Sequence, residues 1–262
     1  MNLDPIHQVM MQRDLIYEYR WDVLIVLDAC RADAFEDVAL PRLREWFSVT
    51  EYRIVESAGS CTQEWFVETF TKPMPDVVYV SANPWIGARE YSYLHTPRKY
   101  DPRKLFHKVI EVWDRGWMRW VYAYTVPPFA VLSSFTGAAV RYRGKRFIVH
   151  FLQPHFPNPS DPELSRYFCA DKLNPDRDLW SALRRGELSR DRVYRSYLEN
   201  LEWVTYYVRA VIELARKLLS AGTVVVTADH GEAFGEEGVY DHPPGTRIPV
   251  LINVPWCVVA LR

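Results

Sequence analysis

Three stretches of this 262-residue chain run apolar without alternating. They are Val23 to Leu27 in DVLIVLDAC, the start of RFIVHFLQPHFP (146–157), and the start of TVVVTADHG (223–231). A strand with one wet face alternates apolar and polar side chains. A run that does not alternate needs cover on both faces, which is the pattern of parallel strands lying between helices. VVYVSANP (77–84), closed by Asn83-Pro84, and IPVLINV (248–254) read as two more strands. Helical spacing occupies the intervals. It is seen over 5–18, over RADAFEDVALPRLREWF up to a break at Pro41, over 103–116, and over 190–219. In the last, Val193, Tyr197, Leu201, Val204, Val208, Val211 and Leu214 share one face. Strands alternating with helices predict an α/β fold, a three-layer sandwich around a mostly parallel central sheet.

That sheet suits a single domain over 1–262, and a chain 48% hydrophobic with ten Trp and sixteen Tyr can fill its core. The Pro-, Asp- and Arg-rich stretch at about 157–189 reads as an irregular, lid-like excursion above the sheet. A net charge of −1 gives no electrostatic footprint for nucleic acid or an anionic membrane. The cluster Arg141, Arg143, Lys145, Arg146 reads as a solvated strand entry. The N-terminal stretch has no apolar core of signal-peptide length, and no segment approaches a membrane span of roughly 18 apolar residues. Cys30, Cys61, Cys169 and Cys257 form no CxxC pair. The expectation is a cytoplasmic chain with free thiols and no membrane partner. No oligomeric state is read from the sequence.

In open α/β sheets, ligands gather at the carboxyl ends of the strands. Asp28, His155 and the pair Asp229-His230 all fall at or just after such ends. Neighbours within a strand point to opposite faces, but both converge once the backbone leaves the strand, and Gly231 permits that turn. Carboxylate oxygen with imidazole nitrogen suits zinc or manganese, or calcium or magnesium if oxygens dominate. Asp28 could instead cap a helix starting near Arg31, and His230 could be a satisfied buried histidine. With His242 close by in YDHPPG, a metal site accounts for all of them together.

These residues carry a resemblance. DVLIVLDACRADAF resembles the first-strand motif of the sulfatase-like branch of the alkaline phosphatase superfamily, in which an apolar strand delivers a metal-binding Asp. VVVTADHGEAFGEEG is similar to the Asp-His-Gly motif of that branch, with a Gly-rich turn and a later His. FIVHFLQPHFP resembles its Pro-His-x-Pro element, and the order along the chain agrees. The matching stretches cover less than half the sequence.

The resemblance implies an alkaline-phosphatase-like fold and a nucleophile heading a helix between the first two motifs. SAGSCTQEWFVETF (57–70) offers Ser60, Cys61 and Thr62 there. Sulfatases that use formylglycine carry Cys-x-Pro-x-Arg, whereas this chain reads Cys61-Thr62-Gln63-Glu64-Trp65. Relatives with a Ser-aromatic-Thr pattern use the Thr, which points to Thr62, a residue equally suited to capping. The implied metal ligands are Asp28, Thr62, Asp229, His230 and His242. The implied catalytic groups are Thr62, His155 and His242. The two histidines would bind anionic oxygens, protonate the leaving group, or complete a second metal site. Asn83 would line the pocket, and Asp161, Asp171 and Glu199 are the diffuse candidates for further ligands. The reading is a metal-dependent hydrolase of phosphate, or else sulfate, esters that acts through a covalent Thr ester on a small anionic substrate. Phosphate is preferred because its extra charge would reward a cationic site. A phospho-group transferase and a catalytically degenerate anion-binding member are the alternatives.

Overall fold

The computed structural model describes residues 10–119, 124–168 and 178–261. The apolar runs form a seven-stranded sheet. In chain order its strands are β1 (Val23–Asp28), β2 (Ser48–Glu56), β3 (Met74–Ser81), β4 (Phe106–Glu111), β5 (Arg146–Pro154), β6 (Thr223–Ala228) and β7 (Asn253–Ala260). They lie side by side in the order β2-β7-β6-β1-β5-β3-β4. The five from β6 to β4 are parallel, and β7 runs antiparallel to β6 and β2. β1 is buried along its whole length. Each fully buried Val, Leu or Ile there contributes about 1.5–3 kcal/mol.

Helices cover both faces. Positions 147 and 150 of β5 point in opposite directions. Phe135, from the helix Pro128–Arg141, meets Phe147 edge-on at 5.5 Å between centroids. Trp65, from the helix Thr62–Thr69, meets His150 at 5.8 Å. The long helix Arg190–Leu219 shares the first face and buries Val193, Tyr197, Leu201, Val204, Val208 and Val211, while Leu214 is half-buried. Register brings Leu27 beside Ala228 and Asp28 beside Pro154, so Asp28, His155 and Asp229 leave the sheet at one edge.

Several expected elements differ. The first helix spans Gln12–Glu18, and residues 5–9 lie outside the described residues. Pro41 does not break its helix. A π-helical turn over Phe35–Ala39 closes with a Leu40 N–H to Phe35 carbonyl bond. Pro41 thereby falls in the first turn of the segment Leu40–Trp46, where no N–H is required of it. Over 103–116, the buried Phe106, Val109 and Val112 recur every third residue and imitate a helix. They belong instead to the edge strand β4, whose register shifts, and to the short helix Val112–Gly116. IPVLINV is a turn of helix, Pro249–Ile252, leading into β7. Strand β2 and the helix Pro128–Arg141 were not anticipated.

Within 157–189, helices Pro162–Phe168 and Leu179–Arg184 are described, and Tyr167, Trp180 and Arg184 line a cleft above the carboxyl edge. At the opposite, amino end of β5, Arg146 pairs with Asp76 and Lys145 reaches the Pro75 carbonyl, as expected of a solvated strand entry. Cys30, Cys61 and Cys257 are free and buried, and Cys169 lies outside the described residues.

Candidate active site and metal centre

Thr62 is the first residue of the helix Thr62–Thr69, with Cys61 as its N-cap. Its hydroxyl is aimed at the strand ends, where Oγ1 donates to Asp229 Oδ2 at 2.8 Å and lies 3.4 Å from His230 Nε2. Asn83, just past β3, spans the floor. Its Nδ2 donates to Asp28 Oδ2 at 2.7 Å and to Thr62 Oγ1 at 3.1 Å. His230 Nε2 lies 3.6 Å from Asp28 Oδ1 and 3.4 Å from Asp229 Oδ2. The other oxygen of Asp229 accepts the N–H groups of Ala29 (3.0 Å) and His230 (2.9 Å). Ala29 turns the chain out of β1 with φ 58, an unusual angle for a residue with a Cβ, held by Tyr197, which bonds its carbonyl at 2.7 Å. Gly231 serves a different need from the expected turn. A Cβ there would sit 1.9 Å from the Val250 carbonyl oxygen, so the position demands close backbone approach.

A second group stands beside the first. His242 Nδ1 lies between Glu232 Oε1 at 3.0 Å and Asp241 Oδ1 at 2.9 Å. Its ring is 4.5 Å from that of His230 and 5.2 Å from that of His155. The helix start and the His242 loop are tied together. Glu64 Oε2 accepts from the N–H of Ser60 at 2.8 Å and of Gly245 at 3.2 Å, and the Ser60 hydroxyl bonds the Pro243 carbonyl at 2.8 Å.

Electrostatics separate the two groups. Burial and then the Asp229 carboxylate push Asp28 well above the usual carboxylate range. Burial, then His242, depresses His230 far below an ordinary histidine. His150 and His155 are each lowered to about 4, chiefly by burial, and so are neutral near pH 7. Burial also disfavours a charged His242, but Glu232 and Asp241 outweigh it and hold the ring well above its usual value. Burial raises Glu232 to about 7.

The floor fits a divalent cation. Asp28 and Asp229 are buried side by side, and no lysine or arginine among the described residues pairs with either. Asp28 Oδ1 has no hydrogen-bond partner. Buried charge of this kind requires compensation. The donor atoms of Asp28, Asp229, His230 and Thr62 stand 2.8–3.6 Å apart in the contacts given. Ligands about 2.0–2.2 Å from a small tetrahedral ion lie roughly 3.3 Å from one another.

The structure therefore brings Asp28, Thr62, Asp229 and His230 around one point. It sets His242 in a neighbouring group with His155 and Glu232, whose donor atoms lie within 4.8 Å of one another. Asp161 is engaged with Arg192, Glu199 is exposed, and neither lines the cleft; Asp171 lies outside the described residues. Two site residues escaped the sequence reading. His150 Nε2, without a hydrogen-bond partner, lies 3.7 Å from Asp229 Oδ2, while its Nδ1 is 2.9 Å from the Tyr79 hydroxyl. Its signal was an imidazole in the middle of an apolar strand. Glu232, fully buried with Oε2 unpartnered, follows the Asp-His-Gly triplet directly.

Comparison with known proteins finds the same fold elsewhere. The Sulfatase family model matches residues 138–255. No curated protein matches the sequence. Among solved structures, the soluble domain of lipooligosaccharide phosphoethanolamine transferase A from Neisseria meningitidis has a TM-score of 0.56 at 14% identity, over 90% of this chain and 75% of that one. The C-terminal periplasmic domain of EptC from Escherichia coli, in complex with zinc, has 0.57 at 13%, over 99% and 77%. The 2-O GAG sulfatase BT1596 has 0.54 at 12%, over 91% and 63%. At such identities the likeness is one of fold.

Proposed function

We propose that this chain, whose residues 138–255 match the Sulfatase family model, belongs to the sulfatase-like branch of the alkaline phosphatase superfamily and is a metal-dependent hydrolase of phosphate esters acting through a covalent ester on Thr62. The observation that carries the reading is the Thr62 hydroxyl, set at a helix start and shared between Asp229, His230 and Asn83. Asp28, Asp229, His230 and Thr62 would hold the ion, and zinc or manganese suits that donor set. Such an ion, when bound, acidifies the hydroxyl and offsets the two buried carboxylates.

The chain's own groups supply the rest. Asp229 Oδ2 accepts the Thr62 hydrogen bond and receives its proton as Oγ1 attacks phosphorus. Asn83 fixes the direction of attack through its bonds to Thr62 and Asp28. The first N–H groups of the helix Thr62–Thr69 face the transferred oxygens. His242, charged between Glu232 and Asp241, gives a proton to the departing oxygen. Water then attacks phosphorus and releases Thr62, its proton restoring His242 while Asp229 returns the first proton to Oγ1. An acceptor alcohol in place of water would make the same half-reaction a transfer, and the phosphoethanolamine transferases among the structural neighbours support that second reading.

The test is elemental analysis of purified protein, followed by assays of chromogenic phosphate and sulfate esters with wild type and Thr62→Ala. Phosphate-ester turnover that needs both the metal and Thr62 is expected. Aryl sulfate hydrolysis with phosphate esters untouched, and an aldehyde at Cys61, would contradict it.

A further inference from the structure

Gln12 opens the helix Gln12–Glu18, ahead of β1 and outside every motif that carries the site, and its side chain is fully buried. A buried amide needs partners for its polar atoms. Nε2 donates to the Thr227 hydroxyl and to the Ala228 carbonyl, each at 2.6 Å, and Oε1 accepts from Trp65 Nε1 at 2.7 Å. The neighbours fix which way the amide faces, since an indole N–H can only donate and a carbonyl can only accept.

Pro255 explains why a group from outside the sheet is needed. β6 and β7 pair from Thr223 with Ala260 as far as Thr227 with Trp256. The next rung would set Ala228 opposite Pro255, which has no N–H to give. β7 lies between β6 and β2, so the proline interrupts an internal ladder. Gln12 supplies the missing donor to the Ala228 carbonyl. The Thr227 hydroxyl, which accepts from Gln12, donates in turn to the Pro255 carbonyl at 2.6 Å. This splice falls at the last residue before Asp229. The other end of the amide reaches the helix Thr62–Thr69. Trp65 lies about one turn beyond Thr62, fully buried and edge-on to His150 at 5.8 Å. One amide thus joins the residue before Asp229 to the turn that begins with Thr62. Those two parts must be in register for Thr62 Oγ1 to stand 2.8 Å from Asp229 Oδ2. From the loop before the helix, Ser57 Oγ bonds the Asp229 carbonyl, so the strand end is also held from that side.

We propose that Gln12 is a positioning residue that sets the Asp229 strand end against the Thr62 helix, so that the helix before β1 is a working part of the site. Its effect on turnover rests on Thr62 being the nucleophile. Its hold on Asp229, a proposed metal ligand, does not.

Gln12→Met keeps the length of the side chain and removes all three bonds. It should lower kcat about 10-fold with KM nearly unchanged, as when a nucleophile is misplaced while substrate contacts persist. Zinc affinity, measured by competition with a chromogenic chelator, should fall about 10-fold, the usual loss when support behind a ligand is removed. The control is Val211→Ala, a core truncation in the helix Arg190–Leu219 that touches none of these bonds. It should lose stability and keep its kcat and zinc affinity, with both variants assayed well below their unfolding midpoints. Trp65→Phe removes one bond of the set, so the double variant with Gln12→Met should lose less than the product of the single losses. Losses that multiply in full, equal losses in Val211→Ala, or wild-type kcat and zinc affinity in Gln12→Met would each overturn the proposal. Weakened zinc binding in Gln12→Met beside full activity of Thr62→Ala would remove Thr62 as nucleophile and leave the hold on Asp229 standing.

Discussion

Asn83 shows how much depends on single side chains here, because one amide bonds both the Thr62 hydroxyl, the proposed nucleophile, and the Asp28 carboxylate, a proposed metal ligand. Asn83→Ala should lower kcat by about 100-fold, the usual cost of one lost oriented donor, with the unfolding midpoint nearly unchanged. Gly231 works through space: a methyl group would meet the Val250 carbonyl at 1.9 Å. Gly231→Ala should cost about 1–3 kcal/mol in urea unfolding and lower metal content with it. Asp28, Asp229 and His230 could be placed together from the sequence because they fall at strand ends, and Thr62 was added by the resemblance to relatives with a Ser-aromatic-Thr pattern. His150 and Glu232 were not legible there, since only tertiary packing brings a mid-strand imidazole beneath Asp229 and turns a buried carboxylate toward His242.

At the level of elements, the helix bearing Thr62 and the loop bearing His242 are far apart in sequence and joined through Ser60 and Glu64. Glu64→Ala should lower kcat about 10-fold through misplacement of His242 relative to Thr62, while Glu64→Gln, which keeps one acceptor, recovers most of it. Arg31 anchors the Glu232 segment by bonding the Glu232 carbonyl and the Glu236 carboxylate. Burial would raise Glu236, but bonds from Arg31, Arg190 and the Phe234 N–H outweigh it and hold the group at about 2. A depressed carboxyl adds stability above its unfolded value of 4.5 and loses it as pH falls toward about 2. With screening discounted, Glu236→Gln should flatten acid unfolding below pH 4.5 by about 1–2 kcal/mol. The parallel strands were legible because burial on both faces erases alternation. The edge strands were not, since β4 carries a helix-like spacing and β2 mixes exposed with half-buried positions. Pro41 misled because a π-helical turn absorbs it.

Across the whole molecule, the parallel sheet gathers strand ends into an acidic floor beneath a cleft whose lining includes Trp85, Tyr124, Phe156, Trp180 and Tyr240. No described helix is long and apolar enough to cross a membrane. Chelation should abolish turnover and lower the unfolding midpoint, because two buried carboxylates lose their counter-charge; added zinc or manganese should restore both. The central claim is that Thr62 carries the transferred group. Its most direct measurement is peptide mass spectrometry of metal-loaded protein quenched in acid during turnover of a chromogenic phosphate ester. A phosphoryl adduct on Thr62, absent from Thr62→Ala, is the expected result; turnover with the adduct on Ser60 or Cys61, or unimpaired turnover by Thr62→Ala, would contradict it.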